Sequence, residues 1–184
     1  RFVMTFRTDA KIKKYVSARE LGRFSQVGNV TPDHSIRIKP VPLIVPAPNA
    51  ADSAGFAKAA AAAMAEFRIR YRLYFEHNNG KSTVKKIRLD DSPRVILVPG
   101  VGLFGVGSDA KSAHIAADLA ETTIDVTTNA EAVGRFDSIS KFDQFEIEYW
   151  SLEQAKLSKG AEKPLARQVA VVTGAGGTIG RAIA

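Results

Sequence analysis

Residues 168–184 constrain the chain more tightly than any other stretch. A short apolar run ends at Val171 and Val172, and Thr173-Gly174-Ala175-Gly176-Gly177-Thr178-Ile179-Gly180 follows at once. A strand that feeds a glycine-rich turn and then a helix needs glycine for three reasons: to turn sharply off the strand, to let backbone approach a ligand, and to seat the helix closely. The helix start then offers free amide hydrogens and the positive end of its dipole to a phosphate. The glycines at 174, 177 and 180 keep the required spacing. The pattern predicts the first βα unit of a Rossmann fold. It assigns Gly174, Gly176, Gly177, Thr178, Ile179 and Gly180 to the pyrophosphate of a dinucleotide, NAD or NADP. The residue that selects between the two is expected about 20 positions on, past Ala184. No catalytic residue is expected within the chain, so hydride transfer by the chain alone is not.

The remainder reads as alternating short elements. Residues 1–6 look like a strand entered midway, and with no initiator Met a fragment is expected. Thr8-Asp9 opens a helix through Tyr15 and Val16. Gly28-Asn29 marks a turn. Residues 36–39 alternate apolar and basic, the period of a half-buried strand. Pro40, Pro42, Pro46 and Pro48 exclude a helix and imply an extended connector. Asp52 or Ser53 caps a long alanine-rich helix over 52–78, with Phe67, Tyr71, Tyr74 and Phe75 on one stripe. A strand is expected at 94–98, then a glycine-rich segment at 99–107, then a helix from Ser108-Asp109 to about Val133. Another helix begins at Ser140, with Asp143 as its capping-box partner, and runs towards Lys156. Residues 159–163 and Pro164 read as a linker. The fold class is therefore α/β: a mixed α/β module over 1–157, a linker over 158–166, and a truncated Rossmann βα unit over 167–184.

Composition bounds the function. The absence of cysteine excludes a disulfide scaffold and thiolate metal sites and fits a reducing, cytoplasmic setting. No apolar run reaches membrane-spanning length, so no membrane association is expected. Residues 1–100 hold 18 Lys/Arg against 8 Asp/Glu, while residues 101–150 hold 3 against 9. Two parts that neutralise each other, an anionic small-molecule site and a nucleic-acid surface all fit this split. The basic residues are scattered and no aromatic–basic signature accompanies them, so no nucleic-acid partner is expected.

A few residues could carry chemistry of their own. His34, Arg37 and Lys39 suggest either a phosphate site or a solvated basic strand edge. His77 fits a helix end and His114 a helix face; a zinc site needs three or more convergent ligands, and the three histidines lie on separate elements. Asp109, Asp118, Glu121 and Asp125 read as a solvated helix face. The aromatic stripe Phe142, Phe145, Tyr149 and Trp150 reads as core or interface. Gly100, Gly102, Gly105 and Gly107 lack the Gly-Lys-Ser/Thr of a triphosphate loop.

The turn resembles that of short-chain dehydrogenase/reductases, whose usual form is Thr-Gly-x-x-x-Gly-Ile-Gly; Thr178 stands where the middle glycine is usual. Residues 31–40 (Thr-Pro-Asp-His-Ser-Ile-Arg-Ile-Lys-Pro), 93–105 (Pro-Arg-Val-Ile-Leu-Val-Pro-Gly-Val-Gly-Leu-Phe-Gly) and 148–157 (Glu-Tyr-Trp-Ser-Leu-Glu-Gln-Ala-Lys-Leu) are similar to bifunctional aldolase/short-chain dehydrogenases of the rhamnulose-1-phosphate aldolase/lactaldehyde dehydrogenase type. The resemblance implies that residues 1–157 are the end of an aldolase part. It implies a class II aldolase that cleaves a ketose 1-phosphate with a divalent metal, usually zinc, held before residue 1. It also implies a dehydrogenase that oxidises the released aldehyde. Partners would be sugar-phosphate and aldehyde substrates, and a homo-oligomer is expected. Residues 95–107 also resemble the aldolase's strand, His-Gly turn and helix, with Pro99 in place of a ligand histidine. An alternative is that residues 1–157 form a non-catalytic scaffold or dimerisation module.

Overall fold

The computed structural model describes residues 2–155 and 171–183. Its centre is a four-stranded mixed sheet in the order β1-β4-β3-β2. β1 (Val3–Arg7) pairs antiparallel with β4 (Gly102–Gly107), and β4 pairs antiparallel with β3 (Val95–Val98). β2 (Leu43–Ile44) runs parallel to β3, with Leu43 opposite Ile96. The mixed α/β class expected from the sequence is what the chain adopts over this part.

The glycine-rich segment at 99–107 is a hairpin, which corrects the expected strand–turn–helix. Val101 N–H donates to Val98 O at 3.0 Å, and Gly100 takes φ +78° after Pro99. Proline followed by a left-handed glycine is the chemistry of a type II turn. The chain therefore returns as β4 before any helix starts. The resemblance of 95–107 to a strand, a ligand-bearing turn and a helix fails here, because a whole strand lies between the turn and the helix.

β4 is rich in glycine because a helix lies directly on it. A Cβ at Gly105 would collide with Ala113 O and stand 2.5 Å from Ala117 N, and one at Gly107 would stand 2.6 Å from the Ser112 carbonyl carbon. That helix, α5 (Ala110–Val133), is capped by Asp109, whose carboxylate accepts from Ser112 N–H. Its inner face, Ala113, Ala116, Ala117, Ala120 and Ile124, is buried against Val95, Leu97 and Leu103. α1 (Ala10–Val16), capped by Asp9, adds Ile12, Tyr15 and Val16 to the same core, and the short α2 (Leu21–Phe24) adds Leu21 and Phe24.

The opposite face of the sheet is covered by α4 (Ser53–Lys81), which buries Phe67 and Tyr71 against Leu43, Val45 and Val98. The expected cap at Asp52 is present, accepting from Gly55 N–H at 2.8 Å. The helix runs a little past the expected Asn-Asn-Gly stop, because the Lys85 ammonium reaches back to the carbonyls of Asn79, Gly80 and Ser82. α6 (Lys141–Glu148), capped by Ser140, is shorter than expected. The chain breaks at Tyr149 and Trp150 and resumes as α7 (Ser151–Ala155), leaving Trp150 half exposed rather than in the core.

One element contradicts its expectation outright. Residues 36–39 are not a strand: α3 (Pro32–Ile38) occupies this stretch, with Thr31 as N-cap and Pro32 in its first turn. Proline at that position has φ preset for a helix, and a Thr-Pro-Asp start outweighs a four-residue alternation. Of the expected strand at 168–172, residues 168–170 lie outside the described residues, as does the linker, and Val171 and Val172 are in neither strand nor helix. The final element is α8 (Thr178–Ile183). Among the described residues no helix is long and apolar enough to cross a membrane.

The Gly105 contact is open to test. Gly105→Ala should destabilise the chain by about 1–3 kcal/mol in urea denaturation, through overpacking against α5. Gly22→Ala, where a Cβ meets nothing within 4 Å, should be neutral or slightly stabilising.

Candidate functional site

Two places among the described residues carry chemistry beyond packing. The first is the glycine turn. Gly174 takes φ +68°, a left-handed conformation that glycine adopts without strain. Gly177 N–H donates to Gly174 O at 2.9 Å and closes the turn. A Cβ at residue 180 would collide with that same carbonyl, standing 2.7 Å from its carbon, so α8 sits on the turn only because residue 180 is glycine. Around Gly176 nothing lies within 4 Å of a Cβ position, leaving its backbone open to an incoming group. Gly174, Gly176 and Gly177 thus lie in the turn, while Thr178, Ile179 and Gly180 form the first turn of α8. The donor set is backbone amide with no acidic side chain among these residues, which suits a phosphate-bearing ligand.

The second place brings together Lys39, Glu148 and Tyr149, from the strings at 31–40 and 148–157, with Tyr71 of α4. Glu148, on α6, is 1% exposed. The Tyr71 hydroxyl donates to Glu148 Oε1 at 2.7 Å and lies 2.7 Å from the Tyr149 hydroxyl, which in turn accepts from Leu89 N–H at 3.3 Å. Glu148 Oε2 and the Tyr74 hydroxyl are both buried, and the Tyr74 hydroxyl, like that of Tyr71, favours the charged form of the carboxylate. The ring of Tyr71 has a partner too: the Lys39 ammonium lies 3.8 Å from its centroid. An ammonium over an aromatic face is held by the ring quadrupole. One tyrosine therefore engages both charges, the cation by its ring and the carboxylate by its hydroxyl.

Lys39 reaches this position through a strained backbone. It ends α3 at φ 65°, ψ 167°, a region that is essentially reserved for glycine. Pro40 disfavours the helical alternative at residue 39. Asn29 Nδ2 secures the bend by donating to the Lys39 carbonyl at 2.6 Å. Burial lowers the Lys39 ammonium from its ordinary value, with Glu148 opposing. Burial likewise raises the Glu148 carboxyl, against the pull of Lys39 and the hydroxyl of Tyr71. It pushes Tyr149 up to about 12, with Glu148 adding to the shift. Nearby, burial raises Asp91, but Arg72, Arg68 and Arg88 outweigh it and hold the carboxyl below the usual range; Arg72 approaches to 2.6 Å. Arg94 similarly pairs with Asp90.

The expected cluster of His34, Arg37 and Lys39 is dispersed. Lys39 is buried under Tyr71, not on a solvated strand edge beside Arg37. His34 is buried on α3, its Nδ1 2.7 Å from the Thr31 hydroxyl. Burial lowers its imidazole, outweighing the Leu119 backbone and the charge of Asp33. His77 lies on α4 and His114 on α5, as helix residues without a second histidine beside them. Among the described residues no group of three or more His, Cys, Asp or Glu is placed to hold a metal ion. The signal that would have found the buried cluster is the lone Glu148 on the apolar face of α6, one turn after Phe145 and adjacent to Tyr149.

Residues 1–157 match the family described as Aldolase class II, second domain, and the chain belongs to that family. It is similar to the protein named Uncharacterized oxidoreductase YuxG of Bacillus subtilis (strain 168), with 29% identity over 184 residues. That alignment takes in 99% of this chain but 26% of YuxG, so the chain spans about a quarter of that relative's length. Its fold is similar to the crystal structure of YgbL, a candidate aldolase/epimerase/decarboxylase from Klebsiella pneumoniae, at a TM-score of 0.51 and 13% identity. The likeness covers 78% of this chain and 55% of YgbL.

The buried carboxylate makes a pH prediction. A folded-state value above the ordinary 4.5 means the contribution of Glu148 to stability is fully present below that value and is lost as pH rises through the higher folded one. Glu148→Gln should therefore flatten the urea-midpoint curve between about pH 4.5 and 8. Tyr71→Phe, which removes the hydroxyl bonded to the carboxylate, should cost about 1.5–3 kcal/mol at neutral pH. An unchanged curve for the glutamine variant would show that Glu148 does not titrate in that window.

Proposed function

We propose that the chain joins two activities of one longer enzyme: a class II aldolase part, to which residues 1–157 belong, and a nicotinamide-dependent dehydrogenase that opens with the turn at 173–180. The observation that carries the reading is the turn itself. Its left-handed Gly174 and the absence of room for any Cβ at Gly180 are the features a pyrophosphate-binding turn needs, and they stand directly after the aldolase-family segment. The oxidoreductase-named relative aligns across both parts, which supports reading them as one polypeptide.

On this reading the backbone amides of Gly176, Gly177 and the first turn of α8 bind the pyrophosphate of NAD or NADP. Gly174 and Gly180 also shape the turn, the first by its left-handed bend and the second by letting α8 sit close. The dinucleotide supplies hydride acceptance from an alcohol or aldehyde. The aldolase part takes a sugar phosphate, a ketose 1-phosphate, and a divalent metal such as zinc is held by residues preceding this chain. The released aldehyde is the substrate of the second activity. The enzyme is a cytoplasmic homo-oligomer with no nucleic-acid or membrane partner.

A second reading makes residues 1–157 a non-catalytic scaffold or dimerisation module. The closed character of the Lys39–Glu148 cluster favours it, because both charges are spent on holding α3, α4 and α6 together.

Dinucleotide binding tests the assignment of the turn, on which the first reading rests. In the full-length protein, titration with NADH and NADPH followed by nicotinamide fluorescence should show saturable binding of at least one. Gly180→Val should weaken it by at least about tenfold through the clash with Gly174 O. Saturable binding that is indifferent to Gly180→Val, or no binding of either dinucleotide, would discard the assignment of the turn.

A further inference from the structure

One apolar surface lies outside both sites. Among the described residues β1 is hydrogen-bonded to β4 on one side only, and its other edge ends the sheet. Its residues alternate between the two faces. Val3, Thr5 and Arg7 point to the α5 side, where Arg7 meets Asp118 at 2.9 Å and Glu121 at 3.5 Å. Phe2, Met4 and Phe6 point to the other face and are 39%, 60% and 46% exposed. Phe6 stacks on Phe104 of β4 at 4.9 Å, and the Arg94 guanidinium lies 5.3 Å from the Phe2 ring. α4 covers this same face over β2 and β3, but its packing stops short of β1. The result is a solvent-facing apolar strip of two phenylalanines, a methionine and the flank of Phe104, running along an open strand edge.

Open edges are normally protected by charged side chains, proline, a bulge or very short length. β1 carries none of these over Val3–Phe6, and its one charge, Arg7, is turned to the α5 side. The family is a second domain, and the chain is about a quarter of the length of its relative YuxG. In the YgbL fold, nearly half of the chain has no counterpart in this one. We infer that the strip and edge of β1 are the seat of the aldolase-type first domain of the same polypeptide, which packs an apolar layer on Phe2, Met4 and Phe6 and completes the sheet. This rests on the reading that such a domain precedes residue 1. A covalently tethered domain reaches roughly millimolar effective concentration at its own neighbour, so this surface would be covered in cis before any second molecule arrives.

A photo-crosslinker placed in the strip identifies the occupant. In the full-length protein, Met4→p-benzoylphenylalanine should crosslink within one polypeptide to residues that precede position 1. At micromolar protein the yield should be at least about tenfold above that from the same group at Ile87, an exposed control. Met4 is exposed on β1, so the substitution leaves the core intact. Crosslinks between two molecules, mapped by mass spectrometry of mixed-isotope protein, would make the occupant a second copy and overturn the inference. Labelling no stronger than at Ile87 would show the strip facing solvent and overturn it equally. A coding sequence with no aldolase-type domain upstream would instead remove the functional reading, independently of any crosslinking result.

Discussion

The close approach of α5 to β4 organises the rest of the molecule. Backbone atoms of α5 around Ala113 and Ala117 sit where Cβ atoms of Gly105 and Gly107 would be. A helix can reach a strand so closely only if both surfaces are stripped of side chains. Alanine supplies the helix side and glycine the strand side. The space recovered lets Leu97, Leu103, Val95 and Ile124 fill one continuous core with α1 and α2. Pairing β4 with β1 on one side and β3 on the other then follows, because β4 is the strand that the helix fixes. At the rim, Arg7 and Lys11 meet Asp118 and Asp125. Exposed pairs of this kind contribute at most about 1 kcal/mol each, so they trim the interface and do not create it.

The polar cluster does a different job. Apolar contacts among Phe75, Phe145 and Tyr149 bring α6 onto α4. Such contacts are non-directional, and a helix held by them alone can slide. The hydrogen bond from Tyr71 to Glu148 and its contact with Tyr149 fix the register to one arrangement. Lys39 ties the end of α3 to the same tyrosine, through a backbone conformation that carries about 1–3 kcal/mol of strain. Such strain persists only where the surroundings over-determine it. Here Pro40, the Asn29 bond to the Lys39 carbonyl and the Tyr71 ring do so.

Capping chemistry is the most legible part of the sequence. Asp9, Asp52, Asp109 and Ser140 each begin the helix expected of them, because a short oxygen-bearing side chain meets a local need that no distant contact alters. Two local readings fail where tertiary structure decides. The alternation at 36–39 mimics a strand, yet three of the four residues are buried because α3 is wedged under α6, and burial from several sides erases any period. The glycines at 102–107 read as a loop, since nothing local reveals the alanine helix that makes glycine the right strand residue there. Glu148 is hidden for a similar reason: its partners, Tyr71 and Lys39, are 77 and more positions away along the chain. In the glycine turn every constraint is local, and within the six residues the pattern marks, Gly174 makes the bend and Gly180 the close seat of the helix.

That locality also limits what the turn does unaided. Its hydrogen bonds, Gly177 to Gly174 and Arg181 to Gly177, close within the segment. The apolar residues around it stay in solvent: Val171, Ile179 and Ile183 are exposed, the last two on one face of α8. In a βα unit those side chains pack on neighbouring strands, and that packing holds the helix start at a fixed distance from the turn. A phosphate site built from backbone amides depends on pre-organisation, because each amide contributes little unless all point to one place at once. On the proposed reading, the affinity of this turn for a dinucleotide would therefore be set by whatever sheet receives Val171 and Ile179, while its shape is set by its own glycines.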